Sequence, residues 1–157
     1  MSNDAGNERD VFRKDVGEWE GDLTITPGPG QAPQKSKGRL VGKLISGGKW
    51  LVLDFRNLTT GFEGHGIYGY DPGIKRYVGT WVDDMRNGIM VAEGDWDPAT
   101  RAMTYVWKAS MPDGQTMAWR EISQFTSDDE QTFRVVMPTP DGKDFEMMSV
   151  QYRRVKG

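Results

Sequence analysis

The sequence predicts an all-β chain, an antiparallel up-and-down barrel of about ten strands preceded by a short helix, and three observations lead there. Turn signals recur about every ten residues, from Ser46-Gly47-Gly48 through Asp71-Pro72-Gly73 and Pro112-Asp113-Gly114 to Pro140-Asp141-Gly142. The runs between them are rich in β-branched and aromatic residues, and a chain with 20 Gly, 6 Trp and 5 Tyr suits many turns around an aromatic interior better than a helical bundle. Connections this short join antiparallel neighbours, and closing such a sheet is the simplest way to remove its exposed edges.

Taken in order, residues 1–10 are expected to form a flexible N-terminus and residues 11–157 a single domain. Val11, Phe12 and Val16 offer one apolar edge for a short helix set against a barrel mouth. The first strand, about 18–26, alternates Trp19, Gly21, Leu23 and Ile25 with Glu20, Asp22, Thr24 and Thr26, so Trp19 points inward. Gly17 and Gly21 flank that ring and permit bending and close approach. Three prolines within 27–33 exclude a strand interior and make that stretch a loop, placed by this reading near the barrel mouth together with the N-terminal segment. Nine further strands are expected near 35–45, 49–57, 62–70, 75–83, 88–95, 102–109, 116–125, 131–137 and 144–154. A ten-strand barrel is wider than an eight-strand one, which just fills with side chains, so a cavity is expected, with Gly64, Gly66, Gly69 and Gly79 leaving room in it.

Composition excludes several functions. Net charge is −3 and the pI about 5.2, which argues against nucleic acid as a partner because counterion displacement needs a basic surface. No apolar run approaches the length of a membrane span and no signal segment is readable, so the expected address is the cytoplasm, with no membrane partner. Cysteine is absent and His65 is the only histidine, so no metal site is expected. Cofactors are likewise expected to be none; there is no Walker loop, dinucleotide fingerprint or nucleophile elbow.

The Gly17-Glu18-Trp19-Glu20-Gly21 opening resembles the first strand of lipocalin-like barrels, in which an Arg or Lys of the last strand covers the Trp. Arg153 and Arg154 supply that residue here. With Gly64-His65-Gly66-Ile67-Tyr68-Gly69-Tyr70-Asp71, Arg76-Tyr77-Val78-Gly79-Thr80-Trp81-Val82-Asp83, Glu93-Gly94-Asp95-Trp96-Asp97, Trp119-Arg120-Glu121 and the closing Asp141-Gly142-Lys143-Asp144-Phe145 with Tyr152-Arg153, the chain resembles the bacterial domain-of-unknown-function family fifteen-seventy-nine from about Val11 to Arg154. The resemblance implies a lipocalin-like or fatty-acid-binding-protein-like barrel and a possible homodimer. It implies no reaction.

Candidate chemistry centres on His65, which shares a strand face with Ile67, Gly69 and Asp71. If that face lines the cavity, His65 could act with Asp83 or Glu121 in proton transfer, or serve as the axial ligand of a haem; if not, it is a solvated residue between two glycines. Glu121 falls among the apolar set Met117, Trp119 and Phe125, and a carboxylate on an inward face needs a partner or a raised pKa. Tyr70, Tyr77, Trp81, Tyr105, Trp107 and Trp119 offer aromatic walls and Arg120 a polar contact for a ligand. The leading expectation is a barrel that binds a small hydrophobic or aromatic molecule. The alternatives are a cofactor-free isomerase, lyase or hydrolase acting on such a molecule, and a haem-binding barrel.

Overall fold

The computed structural model describes residues 8–156. A 3-10 helix spans Glu8–Asp15, and ten strands follow: β1 (Gly17–Ile25), β2 (Gln34–Ile45), β3 (Trp50–Asn57), β4 (Glu63–Asp71), β5 (Arg76–Asp83), β6 (Met90–Asp97), β7 (Ala102–Ser110), β8 (Thr116–Phe125), β9 (Glu130–Pro138) and β10 (Asp144–Arg154). Each pairs antiparallel with its successor, and β10 pairs with β1 through Trp19↔Arg154 to Ile25↔Met148. The sheet is therefore a closed barrel without a free edge, as expected from the sequence. The helix begins at Glu8, inside the stretch read as flexible, and the rest of that expectation falls on residues outside those described.

The meander puts the two ends to different use. The 46–49, 72–75, 98–101 and 126–129 turns share one end with the 3-10 helix, while the 26–33, 58–62, 84–89, 111–115 and 139–143 loops gather at the other. The Pro/Gly loop and the N-terminal segment thus lie at opposite ends, a correction to the shared mouth. The cause is parity: β1 runs from the helix end to the far end, so the segments on either side of it in the chain must separate.

The helix end is sealed. Val11 and Phe12 are buried against Leu51, Tyr68 and Tyr77, with Phe12 edge-on to Tyr77 at 5.7 Å. Trp19 is wholly buried and donates from Nε1 to the Asp15 carbonyl at 3.0 Å. The Arg154 guanidinium lies 4.2 Å from the Trp19 ring centre and donates to the carbonyls of Lys14, Val16 and Asp128, with an ion pair to Asp129 at 3.2 Å. Of the two closing arginines Arg154 is thus the cover, and Arg153 points outward to Asp22. Gly42 admits the turn out of the helix, since a Cβ there would stand 2.2 Å from the Asp15 carbonyl oxygen.

The central glycines do not leave the room the sequence suggested. A Cβ on Gly64 would meet the Trp81 ring at 2.1 Å and one on Gly79 the Tyr68 ring at 2.7 Å, so aromatic rings already occupy those spaces. Gly69 faces outward beneath Trp50. Space in the lumen lies elsewhere.

Candidate functional site

The two faces of β4 separate the candidates. Gly64, Gly66 and Tyr68 are buried inside the barrel, whereas His65 and Ile67 are exposed outside it. His65 Nδ1 is 2.7 Å from Asp54 Oδ1 across the β3–β4 pair, on the outer surface. It cannot meet a molecule in the lumen, which corrects both the proton-transfer pairing of His65 with Asp83 or Glu121 and the haem ligation through His65. Asp83 sits at the far rim, where it accepts from Trp81 Nε1 at 3.1 Å and from the backbone N–H groups of Met85 and Arg86. It staples the 84–89 loop. Arg120 is also turned outward, paired with Asp144, and does not line the lumen.

The aromatic candidates do face inward, but they divide by height. Tyr70 and Tyr77 contact one another at 5.1 Å under the 3-10 helix, and the Tyr77 hydroxyl donates to the Glu8 carbonyl at 2.7 Å. Burial pushes that hydroxyl's pKa up to about 12, and both rings belong to the plug. A surface groove of about 590 Å³ borders them, lined also by Lys14, Lys75, Asp95 and Trp96. Its apolar floor is the packing of the plug itself. Tyr105, Trp107 and Trp119 lie lower, on β7 and β8, with Tyr68 5.4 Å from Tyr105 and 6.1 Å from Trp107.

Glu121 projects into this aromatic middle. Its register partner on β7 is Tyr105, while Trp107 pairs with Trp119. Trp119 Nε1 donates to Glu121 Oε1 at 3.4 Å, and the buried Trp107 Nε1 lies beside the same carboxyl without a hydrogen bond of good geometry. Burial away from water outweighs these indole N–H groups and raises the Glu121 pKa to about 7. The same desolvation, with Glu121 nearby, raises Tyr68, Tyr105 and Tyr152 well above the ordinary phenol value. A second carboxyl, Asp15, lies toward the plug; burial raises it to about 7 against the opposing pull of Gln131, Arg154 and Lys14. Sequence reasoning passed over Asp15, Gln131, Tyr68 and Tyr152 as site residues.

Between Glu121 and the far rim several inward side chains keep uncovered area. Leu53, Phe55, Trp81 and Met117 point inward by register with buried neighbours, yet all are only partly buried. A side chain inside a closed barrel keeps such area only where its own packing leaves space. At that rim Arg86, exposed on the 84–89 loop, holds its guanidinium 5.4 Å from the Trp119 ring centre and donates to Met90 Sδ at 3.3 Å. Among the described residues no group of three or more His, Cys, Asp and Glu is placed to hold a metal ion, and no helix is long and apolar enough to cross a membrane.

The family model described as a protein of unknown function, DUF1579, matches residues 4–154. The chain belongs to that family. No curated protein matches it. Among solved structures, the barrel geometry of this DUF1579 chain is shared by Rv2717c from M. tuberculosis, 13% identical over 96% of this chain and 99% of that one, with a TM-score of 0.68. The S-type phycobiliprotein lyase CPES from Guillardia theta is 12% identical over 96% and 93% of the two chains, with a TM-score of 0.62. At such identities the likeness establishes the barrel fold.

Proposed function

We propose that this DUF1579 protein is a binding barrel whose lumen takes one small, largely aromatic or apolar molecule from the end opposite the 3-10 helix. The observation that carries this reading is the inward-facing Glu121 among Tyr105, Trp107 and Trp119, beneath partly buried aromatic and methionine side chains that lead to the rim. Aromatic walls supply apolar contact area, and one polar group fixes orientation. The phycobiliprotein lyase of similar fold is compatible with a lumen that handles small molecules.

Titration with N-phenyl-1-naphthylamine tests it. One site per barrel with enhanced emission is expected, together with its loss in Leu53→Trp, which fills the lumen. Absence of enhancement, or equal enhancement in a folded Leu53→Trp protein, overturns the reading.

A second reading rests on Glu121 alone. A carboxyl poised near neutral pH in a water-poor aromatic setting is suited to general acid–base work, so the same lumen fits a cofactor-free isomerase, lyase or hydrolase in which Glu121, without His65, moves the proton. We also keep a cytoplasmic address and pairing of two copies as proposals. The exposed Ile67, Val82, Val91 and Val106 on the outer face of β4–β7 give the second a surface.

A further inference from the structure

We propose that the molecule the lumen selects carries a single cationic head, an ammonium or amidinium on an aromatic or apolar body, seated against Trp119 and Glu121 where the Arg86 guanidinium now stands near the ring. This rests on the lumen-binding reading and specifies its ligand class.

The argument begins with charge. Glu121 has no ion pair among the described residues. The other inward carboxyls are accounted for: Asp83 is bonded to Trp81 and its own loop, and Asp15 has Arg154 and Lys14 beside it at the plug. The cations on the strands around Glu121, namely Arg120, Arg134 and Lys108, point away from the lumen; Arg120 and Arg134 pair with Asp144 and Glu146 on the outer surface. The phenols of Tyr68, Tyr105 and Tyr152 stay neutral because burial raises their pKa. Among the described residues, the lumen below the plug therefore holds one acid without a paired cation. A neutral ligand leaves it so, and an anionic one adds repulsion.

Geometry adds a second, independent observation. A guanidinium already stands 5.4 Å from the centre of the Trp119 ring, the ring whose Nε1 donates to Glu121. Indole faces attract cations through their quadrupole, more strongly where water is excluded. Arg86 is weakly held there, since its other contact is a thioether, a poor acceptor. It marks a cation position at the mouth that a ligand cation can take over. An ionised carboxylate has lone pairs enough for Trp119, Trp107 and a ligand ammonium together, so the unbonded Trp107 N–H gains an acceptor when Glu121 ionises.

Calorimetric titration of the intact chain with 2-naphthylmethylammonium, 2-naphthylmethanol and 2-naphthoate tests the proposal. At least a tenfold preference for the ammonium over the alcohol is expected, with no measurable binding of the naphthoate. In Glu121→Gln the ammonium and the alcohol are expected to bind alike. Arg86→Ala should tighten the ammonium about threefold by removing its competitor. Since burial raises the Glu121 pKa to about 7 and the ammonium favours the ionised carboxylate, ammonium binding should release protons near pH 7, measured from heats in phosphate and Tris, and the release should fade by pH 8, where the ligand is still fully ammonium. If the alcohol binds as tightly as the ammonium, or Glu121→Gln keeps the preference, the cation assignment falls while lumen binding stands. If none of the three binds and N-phenyl-1-naphthylamine gives no enhancement, both fall.

Discussion

Each end of the barrel sets an arginine against a tryptophan, and the two pairs are built to opposite effect. At the helix end Arg154 lies 4.2 Å from the Trp19 ring centre, is three-quarters buried, and is bound by three backbone carbonyls and the Asp129 carboxylate. At the far end Arg86 lies 5.4 Å from the Trp119 ring centre, is exposed, and has, among the described residues, Met90 Sδ as the one further partner of its guanidinium. The first pair ties together β1, β10, the 3-10 helix and the β8–β9 turn. The second ties a loop to one ring. The same two residue types make a lock where every guanidinium nitrogen is answered by a protein oxygen, and a displaceable cover where they are not.

The largest break in this comparison comes from the lock. Trp19→Ala removes a side chain with no exposed area from a packed cluster of Leu23, Leu40, Phe125, Val150 and Tyr152. A loss of roughly 3–5 kcal/mol is expected. Urea midpoints measure it, and a loss below about 1 kcal/mol would mean that the helix end is not the keystone. Arg154→Ala should follow at about 1–2 kcal/mol, because it takes a charged donor from the carbonyls of Lys14, Val16 and Asp128 as well as removing the cation over Trp19.

Next comes pH. Asp15 and Glu121 both titrate near 7 in the folded protein and near 4 when unfolded. Their folded pKa values are raised, so the folded state holds protons that the unfolded chain has released. Stability is then fullest below about pH 4 as far as these two groups are concerned, and falls as pH rises to about 7. The fall is on the order of 4 kcal/mol for Asp15 and 3 kcal/mol for Glu121. Glu121→Gln should flatten the profile by one such step and leave the Asp15 step in place, as read from urea midpoints between pH 4 and pH 8. A parallel profile for the variant would mean that Glu121 is not desolvated.

Much of this architecture was legible because its causes are local. Turn residues and period-two alternation act over a few neighbours, so ten strands and the inward Trp19 could be read from the chain. Which face of β4 turns inward could not, since both faces carry glycine beside a bulky residue. The deciding fact is a register: Trp81 lies opposite Gly66 and one step from Gly64, and its ring fills the space above both. A Gly-x-Gly run paired with a Trp would have signalled the inner face, and with it the outward His65. Asp15 and Arg86 carried no local signal, because one acquires its surroundings through chain closure at β10 and the other through the approach of β8.

At the cover the expected effect is smaller and of another kind. Arg86→Ala should shift the urea midpoint by no more than about 0.5 kcal/mol, as for other exposed charges. Its consequence should appear in access: a faster association rate for N-phenyl-1-naphthylamine in stopped flow, with stability unchanged. A destabilisation matching that of Arg154→Ala would erase the distinction between the two ends.

The smallest effect is expected outside the barrel, at His65. Its pair with Asp54 is about half exposed on both sides, so the attraction is screened by water and salt. His65→Ala should cost about 0.5 kcal/mol or less, with the cost shrinking further at high salt. It should leave N-phenyl-1-naphthylamine binding untouched, because the sheet itself stands between the imidazole and the lumen. The contrast with Glu121 is one of parity along a strand: an inward carboxyl is walled by aromatic rings and becomes a site, whereas an outward histidine has solvent on its free sides and stays a surface group. Should His65→Ala weaken lumen binding by tenfold, β4 must turn its other face inward, and the site would have to be rebuilt around the imidazole.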